Sequence, residues 1–350
     1  MYKYFLMLIT FSFIVISCSD KSNESDKTLT DEEKYSFDST SLKTEGIDNT
    51  GQPFKIEYKF KKGEKFVYRL TTISENTQSI EMDTTISNKM NQKVIYLLDL
   101  DIKDVDDEGT IEADAKITSL KLEAFANGKQ FDFETGKDND STKLQQFAEF
   151  QAMYNNPFTV RFDKKGEILE VYKVDKISNR FLEIRGALDS VSTEDKNMIK
   201  QELINAVLNP LITQIIRRTP DKEVYTDSTW QMSQKPLALM VFQINYVNLY
   251  KIQSVEKIDN NRVAIIDADI DFNYTGNPVL KQQNVTYNFQ KPISTADGKI
   301  YFNVDKGFQI KSLTKTKLEI SYNYEANTPK GKQKIKQSES VANTNILELL

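Results

Sequence analysis

Three sets of residues have the types and spacing to do chemistry. Asp104, Asp106, Glu108, Gly109 and Ile111 follow the opening of a calcium loop, where alternate acids converge on a hard cation. The twelfth position of that loop, which needs a bidentate Glu, is Ala115, and strand-like alternation flanks the segment. A hairpin turn explains the same residues, so no metal is expected, with Asp104, Asp106 and Glu108 the nearest approach to a site. Asp267, Asp269 and Asp271 form an acidic ladder on one face of a strand, which suits acid/base work or a solvated sheet face. The third set is one residue: Cys18, the sole cysteine, has no thiol in the chain to pair with.

The rest is defined by exclusion. The 350 residues contain no histidine, which removes His-based triads, general bases and metal ligands together. The 12 glycines are dispersed and make no phosphate-cradling loop, and no G-x-S-x-G elbow is present. Trp230, the lone tryptophan, suits a core position or a pocket wall. The expectation is a protein that is not an enzyme and carries no cofactor, with a carboxylate-based hydrolase as a remote alternative.

The elements that position these residues read as strands. Phe54, Ile56, Tyr58 and Phe60 alternate with polar residues, as do Ile111, Ala113, Ala115 and Ile117, and Val94, Tyr96, Leu98, Leu100 and Ile102 share one face. Asn127-Gly128 marks a hairpin before Phe131 and Phe133. Helical spacing is confined to 142–154 and to a stretch starting at Thr193, whose apolar stripe continues past Pro210 to Ile216. The order of long strand, acidic turn, strand and second hairpin over 93–168 recurs over 242–310. A mainly β (α+β) fold is therefore expected, with two related antiparallel β-rich halves, about 53–185 and 222–350. They would form a curved sheet or half-barrel packed on a helical connector at about 186–221. Lys330, Lys332, Lys334 and Lys336 alternate as the charges guarding an edge strand do.

Residues 1–17 have the flanks and length of a secretory signal peptide, too short to span a bilayer as a helix. Val15-Ile16-Ser17-Cys18 resembles the lipobox of bacterial lipoproteins. That resemblance implies cleavage between Ser17 and Cys18, a diacylglycerol thioether on Cys18 and acylation, typically with palmitate, of its new amine. Two or more acyl chains would anchor the protein durably. Ser19 in the next position resembles lipoproteins sent to the outer membrane, facing the periplasm or the cell surface. Residues 18–52 are rich in Ser, Thr, Asp, Glu and Lys and are expected to form a flexible tether.

Removal of residues 1–17 takes one Lys from 46 cations and leaves 51 acids, a charge of −6. Such a balance argues against nucleic acid or an anionic membrane surface as partner of the body. Gly63-Glu64-Lys65-Phe66, the hairpins Asp163–Ile168 and Asp305–Ile310, and Asp227-Ser228-Thr229-Trp230 resemble, in that order, a set of bacterial lipoproteins grouped under a domain of unknown function. The resemblance spans about residues 54–325 and implies no reaction. The expected function is that of a non-enzymatic envelope lipoprotein binding a hydrophobic ligand or lipid. The alternative is an interaction lipoprotein that docks an envelope protein through a sheet edge or apolar patch.

Overall fold

The computed structural model describes residues 29–47, 51–282, 285–328 and 331–350. Ser17, Cys18 and the expected signal peptide lie outside the described residues. After helix α1 (Asp31–Tyr35) and the short strand β1 (Glu45–Gly46) come β2 (Lys65–Glu81), β3 (Thr85–Val105), β4 (Ile111–Ala126) and β5 (Lys129–Glu134). Helices α2 (Ser141–Gln146) and α3 (Ala148–Met153) lead to the hairpin β6 (Phe158–Phe162) and β7 (Ile168–Tyr172). The helical middle is α4 (Asp175–Ile184), α5 (Thr193–Leu203) and α6 (Asn209–Ile215), the last two joined by a π turn at Ile204–Leu208. The second strand series is β8 (Thr229–Ser233), β9 (Leu237–Leu239), β10 (Phe242–Ile258), β11 (Asn261–Gly276), β12 (Val279–Gln282), β13 (Val285–Phe289), β14 (Ile293–Asn303), β15 (Phe308–Thr328) and β16 (Gly331–Leu349).

All sixteen strands belong to one open, curved antiparallel sheet. Its main path runs β1-β10-β11-β14-β15-β16-β2-β3-β4-β6-β7. Two meanders, β3-β4-β6-β7 and β10-β11-β14-β15, lie end to end in it with β16 and β2 between them. Each carries a bulge just before its second turn, at Arg161/Phe162 and at Tyr301/Phe302. Gly166 and Gly307 then turn the chain at φ of 76° and 75°.

Both turns close on the segment expected to be a strand at 54–60. Phe54, Ile56, Tyr58 and Phe60 are buried as their alternation requires, but the segment is extended chain outside the sheet. Tyr58 N donates to Lys164 O at 2.8 Å and Lys59 N to Gly307 O at 3.1 Å. Its backbone is spent on turns, so it cannot also join a ladder. A Cβ at Gly307 would lie 2.5 Å from Lys59 N, so only glycine fits there.

The main core gathers where these turns lie. It joins Tyr68, Leu98, Leu100 and Ile117 of the sheet to Leu208, Leu211, Ile212 and Ile215 of the helical middle. Helix α5 starts at Thr193 as expected and is capped by Ser192, whose Oγ accepts from Asp195 N at 3.1 Å. The helix expected over 142–154 is two short ones, broken at Phe147.

The lysine-rich stretch opens β16, which pairs with β15 from Thr328↔Gly331 onward and gains β2 on its other side only from Lys336↔Glu81, so Lys332 and Lys334 have a strand partner on one side alone among the described residues, and Lys330 lies outside them. Local alternation cannot reveal a partner more than 250 residues away. The tether, expected over 18–52, ends well before Gln52. From Thr30 to Ile47 the chain is a strap across the sheet face opposite the main core. Glu33 O accepts from Arg69 Nη1 at 2.6 Å, Asp38 pairs with Lys311 at 2.9 Å, and Leu42 packs against Val263, Ile265 and Tyr301. The strap ends as β1 on β10, with Glu45 opposite Lys257. Its composition is polar because it docks mostly through hydrogen bonds and ion pairs, which leave no apolar periodicity.

Candidate functional site

Alternation along each strand sorts side chains onto two faces. The inner face is the one that carries the main core at the turn end. Beyond that core, the long strands continue. Registers of β2, β3, β11, β14, β15 and β16 fix what they present there.

On the inner face, β2 presents Thr72, Ser74, Asn76, Gln78 and Ile80, and β3 presents Val94, Gln92, Met90, Asn88 and Ile86. Strand β15 adds Thr314, Thr316, Leu318, Ile320, Tyr322 and Tyr324, and β16 adds Asn345, Asn343, Val341, Gln337 and Ile335. In these runs the sole carboxylate or cation is Glu339, which accepts from Asn76 Nδ2 at 2.8 Å and Gln78 Nε2 at 3.2 Å. The outer face of the same strands carries Glu75, Lys89, Lys93, Lys315, Lys317, Glu319, Lys334 and Lys336. The inner face therefore has two sectors. One is an amide and hydroxyl surface on β2, β3 and β16. The other is aromatic, with Phe242, Tyr274, Tyr287, Phe289, Tyr322 and Tyr324 at ring separations of 4.9–6.1 Å.

Between the core and the aromatic sector the sheet forks. Pairing of β11 with β14 stops at Ala268↔Gly298, whereas β11 stays on β10 to Gly276 and β14 stays on β15 to Ile293. Small residues occupy the fork because there is no room for larger ones: a Cβ at Gly298 would lie 2.8 Å from Thr314 Cγ2. Here opens a concavity of about 960 Å³, within the range of small-molecule sites. Its lining takes Trp230, Tyr250, Ala268 and Gly298 from the inner face and Lys251, Asp267, Asp269 and Asp297 from the outer. Trp230 stacks on Tyr250 at 5.2 Å and 21°. Its indole Nε1 is buried and finds no acceptor among the described residues.

The sequence-derived candidates fall in different places. Asp106 spends its carboxylate on the turn, accepting from Glu108 N at 3.0 Å and Thr110 N at 2.8 Å, and these bonds hold its pKa below the usual range. Asp104 pairs with Lys62 at 3.1 Å. Among the described residues no three acidic, His or Cys side chains gather to hold a metal ion. Asp267, Asp269 and Asp271 do share the outer face of β11, and Asp267 faces Lys299 at 3.8 Å. Lys251 pairs with Asp227 at 2.7 Å, a bond that raises its pKa. The ladder borders the concavity without converging on a point. Sequence reasoning singled out Trp230 but missed the fork, which shows only in the pairing of β11 with β14.

The described residues thus form an open antiparallel sheet with a charge-poor inner face and a forked wall. The chain belongs to a family of unknown function (DUF6263), whose profile matches residues 108–309. No curated protein matches it. Among solved structures it is similar to lipovitellin at 12% identity and a TM-score of 0.37, over 83% of this chain and 25% of that one. It also overlaps OccK11 (OpdR) of Pseudomonas aeruginosa at 5% identity and a TM-score of 0.20, over 83% of this chain and 99% of that one. An outer membrane channel from Pseudomonas putida F1 overlaps at 8% identity and a TM-score of 0.17, over 88% and 100%. The chain spans about a quarter of the lipovitellin chain's length. No shared fold follows from overlaps of that size.

Proposed function

We propose that this chain is a non-enzymatic, lipid-anchored protein of the bacterial cell envelope whose inner sheet face binds a hydrophobic or amphiphilic ligand. One observation carries the reading: the inner face beyond the core is nearly free of charge, while the outer face of the same strands is densely charged. A solvated sheet face has no reason to exclude Lys and Glu, whereas a face that receives an apolar molecule does. The two sectors suit a ligand with a hydrocarbon part and a neutral hydrogen-bonding part. Attachment through acyl chains on Cys18 follows from the lipobox resemblance, and placement at the outer membrane from Ser19 beside it.

The test is organic extraction of the purified Cys18→Ala chain followed by mass spectrometry, with Trp230 emission recorded during titration with a fluorescent fatty acid. Co-purified lipid and a blue-shifted, ligand-dependent emission are expected. An empty extract together with unchanged Trp230 emission would overturn the reading.

A further inference from the structure

The two ends of the sheet differ in kind. At the core end, the turns β3–β4, β6–β7, β10–β11 and β14–β15 are built from Asp106, Asp107, Asp163, Asp259 and Asp305, and the large apolar side chains exposed near them, Leu169 and Leu350, stand singly. At the opposite end, the turns form the rim of the curved sheet. There Met82, Ile86, Leu237, Met240, Val279 and Leu280 stand between 38% and 52% exposed. They belong to β2–β3, β9–β10 and β12, on both arms of the sheet, so a single accidental patch does not account for them.

Lysines stand at both ends of the sheet, and at the rim they accompany the apolar tips. Lys235, Lys281, Lys332 and Lys334 are exposed at or beside these rim turns. The nearby acids are Glu81, paired with Lys336 at 3.1 Å, Asp83, which accepts from Gln333 Nε2 at 2.9 Å, and Glu325, opposite Lys334 on the last rungs of β15 and β16. A chain whose formal net charge is −5 thus presents a basic rim. Composition alone argues against an anionic surface as partner, but composition averages over the whole chain.

We propose that the rim docks on an anionic lipid surface. Its apolar tips would enter the headgroup–acyl boundary, and its lysines would meet the lipid phosphates. The surface is continuous with the inner face, so a docked rim opens that face towards the lipid. This deepens the ligand reading by naming membrane lipid as the source. A protein partner would satisfy the apolar tips without needing cations spread over separate hairpins.

Vesicle sedimentation of the full chain carrying Cys18→Ala tests it, with phosphatidylglycerol/phosphatidylethanolamine and with phosphatidylcholine vesicles. Against that parent, Met82→Ser combined with Leu280→Ser should lower partition to both vesicles, on the anionic ones by about tenfold or more. Lys332→Gln with Lys334→Gln should lower it only on anionic vesicles, by about fivefold per lysine at low salt. All four positions are exposed, and circular dichroism checks that each variant is folded. Equal partition of parent and variants, or preference for phosphatidylcholine, would overturn the proposal. Trp230 emission with soluble fatty acid is read separately, so ligand binding and rim docking fail independently.

Discussion

Arg69 Nε lies 2.9 Å from Glu348 Oε2, with each side chain only about a tenth exposed, where β2 and β16 meet beneath the strap. The pair is also the strap's footing: Arg69 Nη1 donates to Glu33 O at 2.6 Å, and Asp38 N donates to Glu348 Oε1 at 3.1 Å. Removing one partner leaves the other charge buried without compensation. Arg69→Met should therefore cost on the order of 3 kcal/mol in denaturant unfolding. Replacing both residues with apolar ones should recover part of that loss while still loosening the strap, as hydrogen exchange over residues 30–47 would report.

The strap should also respond to acid. The ammonium of Lys311, with Thr40, holds the Asp38 carboxyl well below the usual range. Lys137 lowers Asp31 as well, and Thr44 and Ser254 lower Glu256. A carboxyl depressed in the folded state stabilises above its unfolded pKa of about 4, and that contribution disappears as pH falls through the folded value. Strap contacts should be intact at pH 7 and weaken progressively below about pH 4. Proteolysis after Lys34, faster under acid than at neutrality with an acid-active enzyme, measures this; a flat profile contradicts it.

Tyr35 adds an alkaline counterpart. Burial pushes its hydroxyl up to about 12, and Glu134 lies 3.0 Å away. A raised folded value means that the protonated, hydrogen-bonded form stabilises below pH 10 and is lost as pH rises towards the folded value. Tyr35→Phe should be less stable than wild type at pH 8 by about 1 kcal/mol, with the difference shrinking at high pH.

The fork sets a steric prediction. Gly298→Val would drive its side chain into Thr314 and Ala268, which should cost about 1–3 kcal/mol and shrink the concavity. Loss of fatty-acid-dependent Trp230 emission with the fold retained would tie the fork to binding.

Gly307→Ala tests the clamp on residues 54–60. The new Cβ meets Lys59 N, backbone that cannot step aside, at a φ where a side chain is already strained. A loss of about 3 kcal/mol or more is expected by urea unfolding. Gly128→Ala, at a similar φ but in open space, should cost less.

Much of the β architecture was legible because its signals are local. Asn127 and Gly128 take positive φ in a tight hairpin, as their types demand, and alternation places Ile111, Ala113, Ala115 and Ile117 in the core. What escaped was long-range or polar. Leu347 sits opposite Leu70 through a ladder that joins the C-terminal strand to the first long one, and no periodicity encodes that partner. The strap escaped because Asp38 and Thr44 dock through polar bonds. The charge-poor inner face became visible only once register had assigned Asn76, Gln78 and Gln337 to one side.

The strap has a further consequence, one of leash and lever. With Cys18 acylated, about twelve residues run to Thr30, a contour of at most about 43 Å. From the level of Arg69, where the strap begins, β2 climbs to Glu81 over roughly 40 Å, and the β15–β16 hairpin stands higher still. An upright body with its rim on its own bilayer would need the leash drawn almost taut. If Cys18 carries the anchor, a body at rest would therefore either lean along the membrane that holds it or lift its rim towards a facing one.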